Sequence, residues 1–171
     1  MTDFFGLLRA LTDGGVDFIL IGGMAAIAHG SARVTEDLDV VYDRTPQNLA
    51  RLIASLSPHQ PYLRGAPPGL PFHWDERTIQ YGLNFTLVTS LGDVDLLGEI
   101  VGGGGYKALL PHTVQLDVCG ISCRCISLDK LIDVKRATGR PKDFEVVAEL
   151  VALRDERQIG RSSSGLDPEP Q

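Results

Sequence analysis

Two aspartates stand one residue apart inside an apolar segment, and this pair constrains the fold more than any other feature of the chain. Asp37 and Asp39 flank Leu38 in "DLDVV", which has the apolar, β-branched composition of a buried strand. Residues i and i+2 of a strand face the same side, so the two carboxylates should project together, with about 7 Å between their Cα atoms. Two like charges this close repel each other and are unfavourable to desolvate. The segment therefore predicts a strand whose charged face requires a compensating partner.

A divalent cation would compensate both carboxylates. Mg²⁺ prefers oxygen ligands at about 2.1 Å and is commonly held by one or two carboxylates together with substrate phosphates. The alternative is that Asp37 lies at a strand end and Asp39 faces solvent, because short D-x-D patterns also arise by chance. Asp93-Val94-Asp95 is a second such pattern in this chain. D-x-D pairs also serve glycosyltransferases that bind sugar nucleotides through a metal, so the pattern alone leaves the chemistry open.

The residues around the first pair indicate alternating strands and helices. "VDFILI" (16–21) is predicted to be a buried strand, and Gly22-Gly23 a tight turn that leads into a short helix ending at Gly30. The next strand is predicted over 37–42. A helix follows over 45–57, with Pro46 at its first position. This alternation predicts an α/β fold with a twisted mixed β-sheet flanked by helices.

The rest of the chain is less regular until its last third. Residues 58–82 contain five prolines and predict a long irregular segment. The further predicted elements are an N-terminal helix from a Thr2 cap to Gly14, two strands over 84–100 joined at Leu91-Gly92, a hairpin over 113–128 around Gly120, and helices over 128–138 (between Ser127 and Gly139) and 141–158. We predict one domain over 1–158, with a core over 1–127 and C-terminal helices over 128–158. Residues 159–171 are predicted to be a disordered tail.

Composition excludes several classes of protein. The 171 residues carry 22 Asp and Glu against 16 Lys and Arg, a net charge of −6, which disfavours a broad basic surface for non-specific nucleic-acid binding. No apolar run is long enough to span a membrane and no signal peptide is evident, so a cytoplasmic location without membrane attachment is expected. The three cysteines share one predicted strand segment, and the four histidines show no metal-ligand spacing. Both sets are expected to serve packing or surface roles.

Three aromatic residues of the irregular segment have two possible roles. Trp74, Phe72 and Tyr81 either stack a base or acceptor or pack locally.

The order of these motifs resembles the nucleotidyltransferase superfamily of DNA polymerase β-like enzymes. Ile21-Gly22-Gly23 is followed by thirteen residues, by Asp37-Leu38-Asp39, and later by a third aspartate in an apolar strand. Asp95 in "VDLLG" matches that third position, whereas Asp93 beside Gly92 is interpreted as a turn residue. The segments "GGMAAIAHGSARVTEDLDVV" and "LDKLIDVKRATGRPKDFEVVAEL" also resemble the small bacterial nucleotidyltransferases grouped with AbiEii-type toxins, over most of residues 16–153.

The resemblance implies a role for each matching residue. Asp37, Asp39 and Asp95 would be the catalytic carboxylates and the ligands of two Mg²⁺ ions, with Asp95 helping to deprotonate the acceptor. The implied nucleotide-binding residues are Gly22, Gly23, Arg33, Thr35 and Lys135, with Arg140 and Asp143 in supporting roles. Many relatives have serine where this chain has Gly23, so one phosphate contact is missing. Arg33 also fits an exposed loop position, and Lys135 a solvated or snorkelling side chain on a helix face. Asp143 also fits an ion pair with Arg140 or the cap of the last helix.

The implied activity is Mg²⁺-dependent transfer of a nucleoside monophosphate from an NTP, for example ATP, to an acceptor hydroxyl. Resemblance to AbiEii-type proteins favours a toxin that acts on RNA or tRNA, with a toxin–antitoxin partner. Antibiotic-modifying and protein-AMPylating enzymes share the same core, so small molecules and proteins are alternative acceptors. A non-catalytic nucleotide-binding or antitoxin module is a further alternative. The sequence specifies neither the base nor the acceptor.

Overall fold

A computed structural model describes residues 1–164 of the chain, which build a seven-stranded mixed β-sheet flanked by helices. The strands of the main sheet are β1 (Phe18–Ile21), β2 (Asp37–Tyr42), β3 (Tyr62–Leu63), β4 (Asn84–Thr89), β5 (Gly92–Leu97), β8 (Thr113–Val118) and β9 (Ile121–Ile126). A separate two-stranded ribbon joins β6 (Glu99–Ile100) to β7 (Gly104–Gly105). The helices are α1 (Phe4–Asp13), α2 (Gly22–Ala28), α3 (Pro46–Leu56), α4 (Glu76–Tyr81), α5 (Tyr106–Leu109), α6 (Leu128–Thr138) and α7 (Pro141–Ser163).

The strand order of the main sheet is β3-β4-β5-β2-β1-β9-β8. β2 lies at the centre, antiparallel to β1 and parallel to β5. The β2–β5 register pairs Asp37 with Asp93 and Asp39 with Asp95. Both D-x-D pairs therefore lie side by side on neighbouring strands. Along β2 and β5 the intervening residues Leu38 and Val94 are fully buried, so the aspartates share the opposite, less buried face.

Most predicted elements are confirmed, because their signals are local. β2 occupies the predicted residues 37–42, and Pro46 begins α3. The Ser127 hydroxyl accepts from the Lys130 N–H at the start of α6, and Gly139 ends that helix with a φ of +63°. The α/β prediction with a mixed sheet and flanking helices is likewise confirmed.

Three boundaries or assignments were wrong. Asp3, not Thr2, caps α1, because its carboxylate accepts from the Gly6 N–H. Gly22-Gly23 form the first turn of α2 rather than a separate turn. The segment 58–82 contains β3 and α4, and the cap of α4 is the Asp75 carboxylate, which accepts from the Thr78 N–H.

The last helix also differs from the prediction. α7 continues to Ser163, so residues 159–163 of the predicted disordered tail are helical. Residues 165–171 of that tail lie outside the described residues. No helix within residues 1–164 combines the length and the apolar character needed to cross a membrane.

Two side-chain interpretations are confirmed by packing. Cys123 and Cys125 are buried in β9, where burial raises the pKa of the Cys123 thiol to about 11 and that of Cys125 to about 12. The Trp74 indole N–H donates to the Ile53 carbonyl at 3.0 Å, and Phe72 packs edge-to-face against Tyr62. Trp74 and Phe72 therefore pack locally, while Tyr81 is exposed.

His29 links the sheet to the last helix. Its ring is buried, with Nε2 2.7 Å from the Ile126 carbonyl oxygen and Nδ1 3.3 Å from the Arg157 guanidinium. Burial lowers the pKa of His29, so the ring is neutral, donates from Nε2 and accepts at Nδ1. The Arg157 guanidinium also donates to the His29 carbonyl at 2.6 Å.

We expect His29→Ala to destabilise the protein by about 2–4 kcal/mol, because the variant leaves a cavity and an unpaired buried carbonyl. His112→Ala is the matched control, since His112 is exposed. Chemical denaturation of both variants checks the prediction. Equal stability of the two variants would contradict it.

Candidate active site

Three aspartates form a cluster at the centre of the sheet. Carboxylate oxygens of Asp37, Asp39 and Asp95 all lie within 4.8 Å of one another, and each residue is partly buried. β2 supplies the first two and β5 the third, which follows from the parallel register of the two strands. The predicted metal ligands are therefore brought together. An all-oxygen donor set of this size fits a hard cation such as Mg²⁺.

The charges of this cluster are incompletely compensated within the protein. Burial, followed by the neighbouring charges of Asp37 and Asp95, raises the pKa of Asp39 to about 7. Burial also raises the pKa of Asp95, although the Arg64 guanidinium opposes the shift. The Gly23 N–H and the more distant Lys135 ammonium favour the charged form of Asp39. The cluster is thus electrostatically suited to bind a cation.

Arg64, which the sequence analysis did not single out, contacts the cluster directly. Its Nη2 lies 2.5 Å from Asp95 Oδ1 and 3.8 Å from Asp37 Oδ2, and its Nη1 lies 3.1 Å from Asp93 Oδ2. Asp93 was interpreted as a turn residue, but it lies on β5 opposite Asp37 and on the same face as Asp95. Arg64 immediately follows β3, and only the pairing of β3 with β4 brings it here.

A second wall of the site comes from α6 and α7. The Lys135 ammonium is largely buried and lies 3.8 Å from Asp143 Oδ1, while Arg140 Nε lies 3.2 Å from Asp143 Oδ2. Asp143 is buried in the first turn of α7. It therefore holds Lys135 and Arg140 beside each other. Of the two interpretations for Asp143, the ion pair with Arg140 is confirmed.

The triad and this wall border one open cleft with a volume of about 630 Å³. Every predicted site residue lines it: Gly22, Gly23, Arg33, Thr35, Asp37, Asp39, Asp95, Lys135, Arg140 and Asp143. The cleft is also lined by Lys142, which lies in one of the segments that carry the resemblance, and by Asn84 and Glu99, which sequence reasoning did not select. No sequence signal marked Asn84 or Glu99, since each becomes relevant only through its position beside β5.

Comparison with solved structures identifies the architecture. A protein assigned as a nucleotidyltransferase from Thermotoga maritima is similar with a TM-score of 0.52 and 13% identity, over 85% of this chain and 88% of that one. The solution structure of the antibiotic-resistance factor ANT(2'')-Ia gives 0.51 and 14%, over 93% and 91%. The crystal structure of ANT(2'')-Ia with adenylyl-2''-tobramycin gives 0.51 and 14%, over 92% and 95%. The fold is that of a nucleotidyltransferase. No family model and no curated protein matches the sequence.

Within this nucleotidyltransferase fold, the two glycines fit tightly against their neighbours. Gly22 has a φ of +65°, and a Cβ there would overlap the Asp39 carboxylate. A Cβ on Gly23 would lie 2.5 Å from the Thr35 hydroxyl oxygen. The Thr35 hydroxyl thus occupies the space that a serine side chain at position 23 would need. This chain has no serine hydroxyl at position 23, and the hydroxyl of Thr35 from the neighbouring loop lies there instead.

We expect Gly22→Ala to destabilise the protein by about 1–3 kcal/mol more than Gly139→Ala. Both glycines have a φ near +65°, but nothing lies within 4 Å of a Cβ at Gly139, so only Gly22→Ala also displaces Asp39. Thermal or chemical denaturation of the two variants measures the difference. Equal destabilisation would show that backbone strain alone matters at Gly22.

The Arg33 side chain is exposed but forms two ion pairs. Its Nε lies 3.0 Å from Glu149 and its Nη2 lies 3.2 Å from Glu145, both on α7. These pairs tie the loop before β2 to the last helix at the edge of the cleft. Thr35 is closer to the triad, since its hydroxyl lies 3.3 Å from Asp37 Oδ1.

Proposed function

We propose that the protein transfers a nucleotidyl group from an NTP to an acceptor hydroxyl, with Mg²⁺ held by Asp37, Asp39 and Asp95. The observation that carries the proposal is the meeting of these three carboxylates on parallel strands, in a cleft whose other wall bears cations. When bound, two Mg²⁺ ions would neutralise the phosphates and stabilise the oxygens that attack and leave. The three carboxylates supply oxygen donors of the kind that Mg²⁺ prefers.

The triphosphate would lie between the start of α2 and the wall made by α6 and α7. Lys135, Arg140 and Lys142 line this part of the cleft and would balance the phosphate charge. Asp143 keeps Lys135 and Arg140 in place through its two ion pairs. The Thr35 hydroxyl lies where a serine side chain at position 23 would extend, and it would donate to a phosphate oxygen.

The acceptor would approach from the side of the cleft nearest β4. Asp95 lies on β5, between β2 and β4, so it is the triad carboxylate closest to that side. Its role would be to accept the proton of the attacking hydroxyl. Asn84 at the start of β4 and Glu99 in β6 line the cleft there and would contact the acceptor.

The distribution of charge between the two sides of the cleft favours a small, positively charged acceptor with a free hydroxyl. The cations that line the cleft lie on the loop before β2 and on the α6–α7 wall, whereas the side near Asp95 is lined by Asn84 and Glu99. Arg64 also reaches Asp95, but its charge is paired with Asp93 and Asp95. The overall charge of −6 is unfavourable for an RNA acceptor. The neighbour ANT(2'')-Ia was crystallised with adenylyl-2''-tobramycin, an adenylylated aminoglycoside, which supports the same class. None of these comparisons bears on the AbiEii-like toxin hypothesis or on a toxin–antitoxin partner, which stay predictions.

The test is transfer of label from each α-labelled NTP in the presence of Mg²⁺. Acceptors are an aminoglycoside panel and, separately, whole-cell RNA and protein. We expect label from ATP to appear in the aminoglycoside fraction with wild-type protein. Label in RNA would instead favour the toxin hypothesis, and label in protein an AMPylating activity. No label in any fraction, despite binding of Mg²⁺-NTP, would favour a non-catalytic nucleotide-binding module.

A further inference from the structure

The guanidinium of Arg64 is the positive group closest to the acidic cluster. It bonds Asp95 at 2.5 Å, approaches Asp37 at 3.8 Å and pairs with Asp93 at 3.1 Å. Within residues 1–164, no other arginine or lysine lies within ion-pair distance of these carboxylates. The Arg64 side chain is about one-quarter exposed (27%), so water screens these pairs only in part.

Two of these three contacts involve the proposed metal ligands. Asp37 and Asp95 belong to the cluster whose oxygens lie within 4.8 Å of one another, whereas Asp93 does not. A guanidinium on Asp37 and Asp95 satisfies the same negative charge that a divalent cation would satisfy. Two cations that share the same carboxylates repel each other, so binding of one opposes binding of the other.

We propose that Arg64 is the counterion of the metal-free site and that a divalent metal must displace it from Asp95 and Asp37. The inference rests on the metal site of the proposed function. The Arg64 side chain then keeps only its pair with Asp93, which lies two residues before Asp95 on the same face of β5. The arginine therefore stabilises the empty site and lowers its metal affinity.

The displacement requires movement of the side chain only. The Arg64 N–H donates to the Thr86 carbonyl at 3.0 Å, which fixes the backbone at the end of β3 to β4. The long arginine side chain can leave Asp95 without breaking this bond, because its rotatable bonds allow the head group to turn toward Asp93. Arg64 follows the edge strand β3, and β4 alone lies between β3 and β5. The long arginine side chain therefore has to span only one strand to reach Asp95.

The test is titration of the metal-free full chain with Mn²⁺, with free Mn²⁺ followed by EPR. We expect Arg64→Gln to bind Mn²⁺ roughly tenfold more tightly than wild type, equivalent to about 1.4 kcal/mol. Arg9→Gln is the matched control, because it also removes one arginine from an ion pair, here with Asp13 on α1, and should bind like wild type. Arg64→Gln should also melt below wild type without metal, and saturating Mn²⁺ should close that gap.

The outcomes separate this inference from the proposed function. If Arg64→Gln and wild type bind Mn²⁺ equally, and Asp39→Asn weakens binding, the metal site stands and the role of Arg64 is overturned. Weaker binding by Arg64→Gln would also overturn it, since the arginine would then support the metal site. If none of the proteins binds Mn²⁺, both the metal site and the inference fail. A gain in affinity cannot arise from misfolding, so it would support competition between the Arg64 guanidinium and the metal for these carboxylates.

Discussion

Asp39→Asn should lower nucleotidyl transfer by at least about 10³-fold, equivalent to about 4 kcal/mol of transition-state stabilisation. Asp39 is the most strongly perturbed carboxylate of the cluster and lies against both the α2 glycines and Asp95. Asparagine keeps the size of the side chain but removes the charge that would hold a metal ion. The rate of pyrophosphate release with NTP and acceptor measures the loss.

The control is Asp133→Asn, which makes the same chemical change at an exposed position on α6 and should retain full activity. Circular dichroism and thermal melting should show that Asp39→Asn is folded. A folded Asp39→Asn variant with more than about a tenth of wild-type activity would contradict the proposed role, because a catalytic metal ligand contributes more than this.

The second large effect is on stability in the absence of metal. The folded-state pKa of Asp39, about 7, lies above its ordinary value of 3.8, so the folded protein binds the extra proton between these two values. Stability therefore falls as pH rises from about 4 to about 7 and is constant in this respect above that range. Asp39→Asn does not titrate. Its stability relative to wild type should therefore increase by about 2–3 kcal/mol between pH 5 and pH 8.

The comparison of the two proteins reports the titration of Asp39 together with its coupling to Asp37 and Asp95, because His29 and the other groups outside the cluster are common to both. Urea denaturation with EDTA at a series of pH values gives the two curves. Added Mg²⁺ should stabilise wild type more at pH 8 than at pH 5, since the metal binds the charged carboxylates, and should stabilise Asp39→Asn little. If the stabilities of wild type and variant changed in parallel with pH, the raised folded-state pKa of Asp39 would be contradicted.

Local sequence signals predicted the elements that position the triad. The apolar, β-branched segment of β2 and the Pro46, Ser127 and Gly139 boundary residues each act over a few residues, and the structure has them where they were expected. The grouping of Asp95 with Asp37 and Asp39 came from the resemblance, because a parallel pairing between strands some fifty residues apart leaves no local signal. The structure supplies that pairing directly.

The missed features depend on long-range contacts. Arg64 follows a strand of only two residues between proline-rich segments, so its reach to Asp95 exists only once β3 pairs with β4. Asp93 was assigned to a turn because it follows Gly92, yet the β2–β5 register places it on the charged face. The relation between Gly23 and Thr35 likewise required the path of the loop. By contrast, α4 had a usable local signal, the Asp75 cap.

The most direct test of the account is a crystal structure of the protein with Mn²⁺ and a non-hydrolysable NTP analogue, with Mn²⁺ located by anomalous scattering. The account predicts Mn²⁺ bound to Asp37, Asp39 and Asp95, the triphosphate beside Thr35 and Lys135, and Arg64 turned away from Asp95. Mn²⁺ bound elsewhere, or a triphosphate bound outside this cleft, would contradict it.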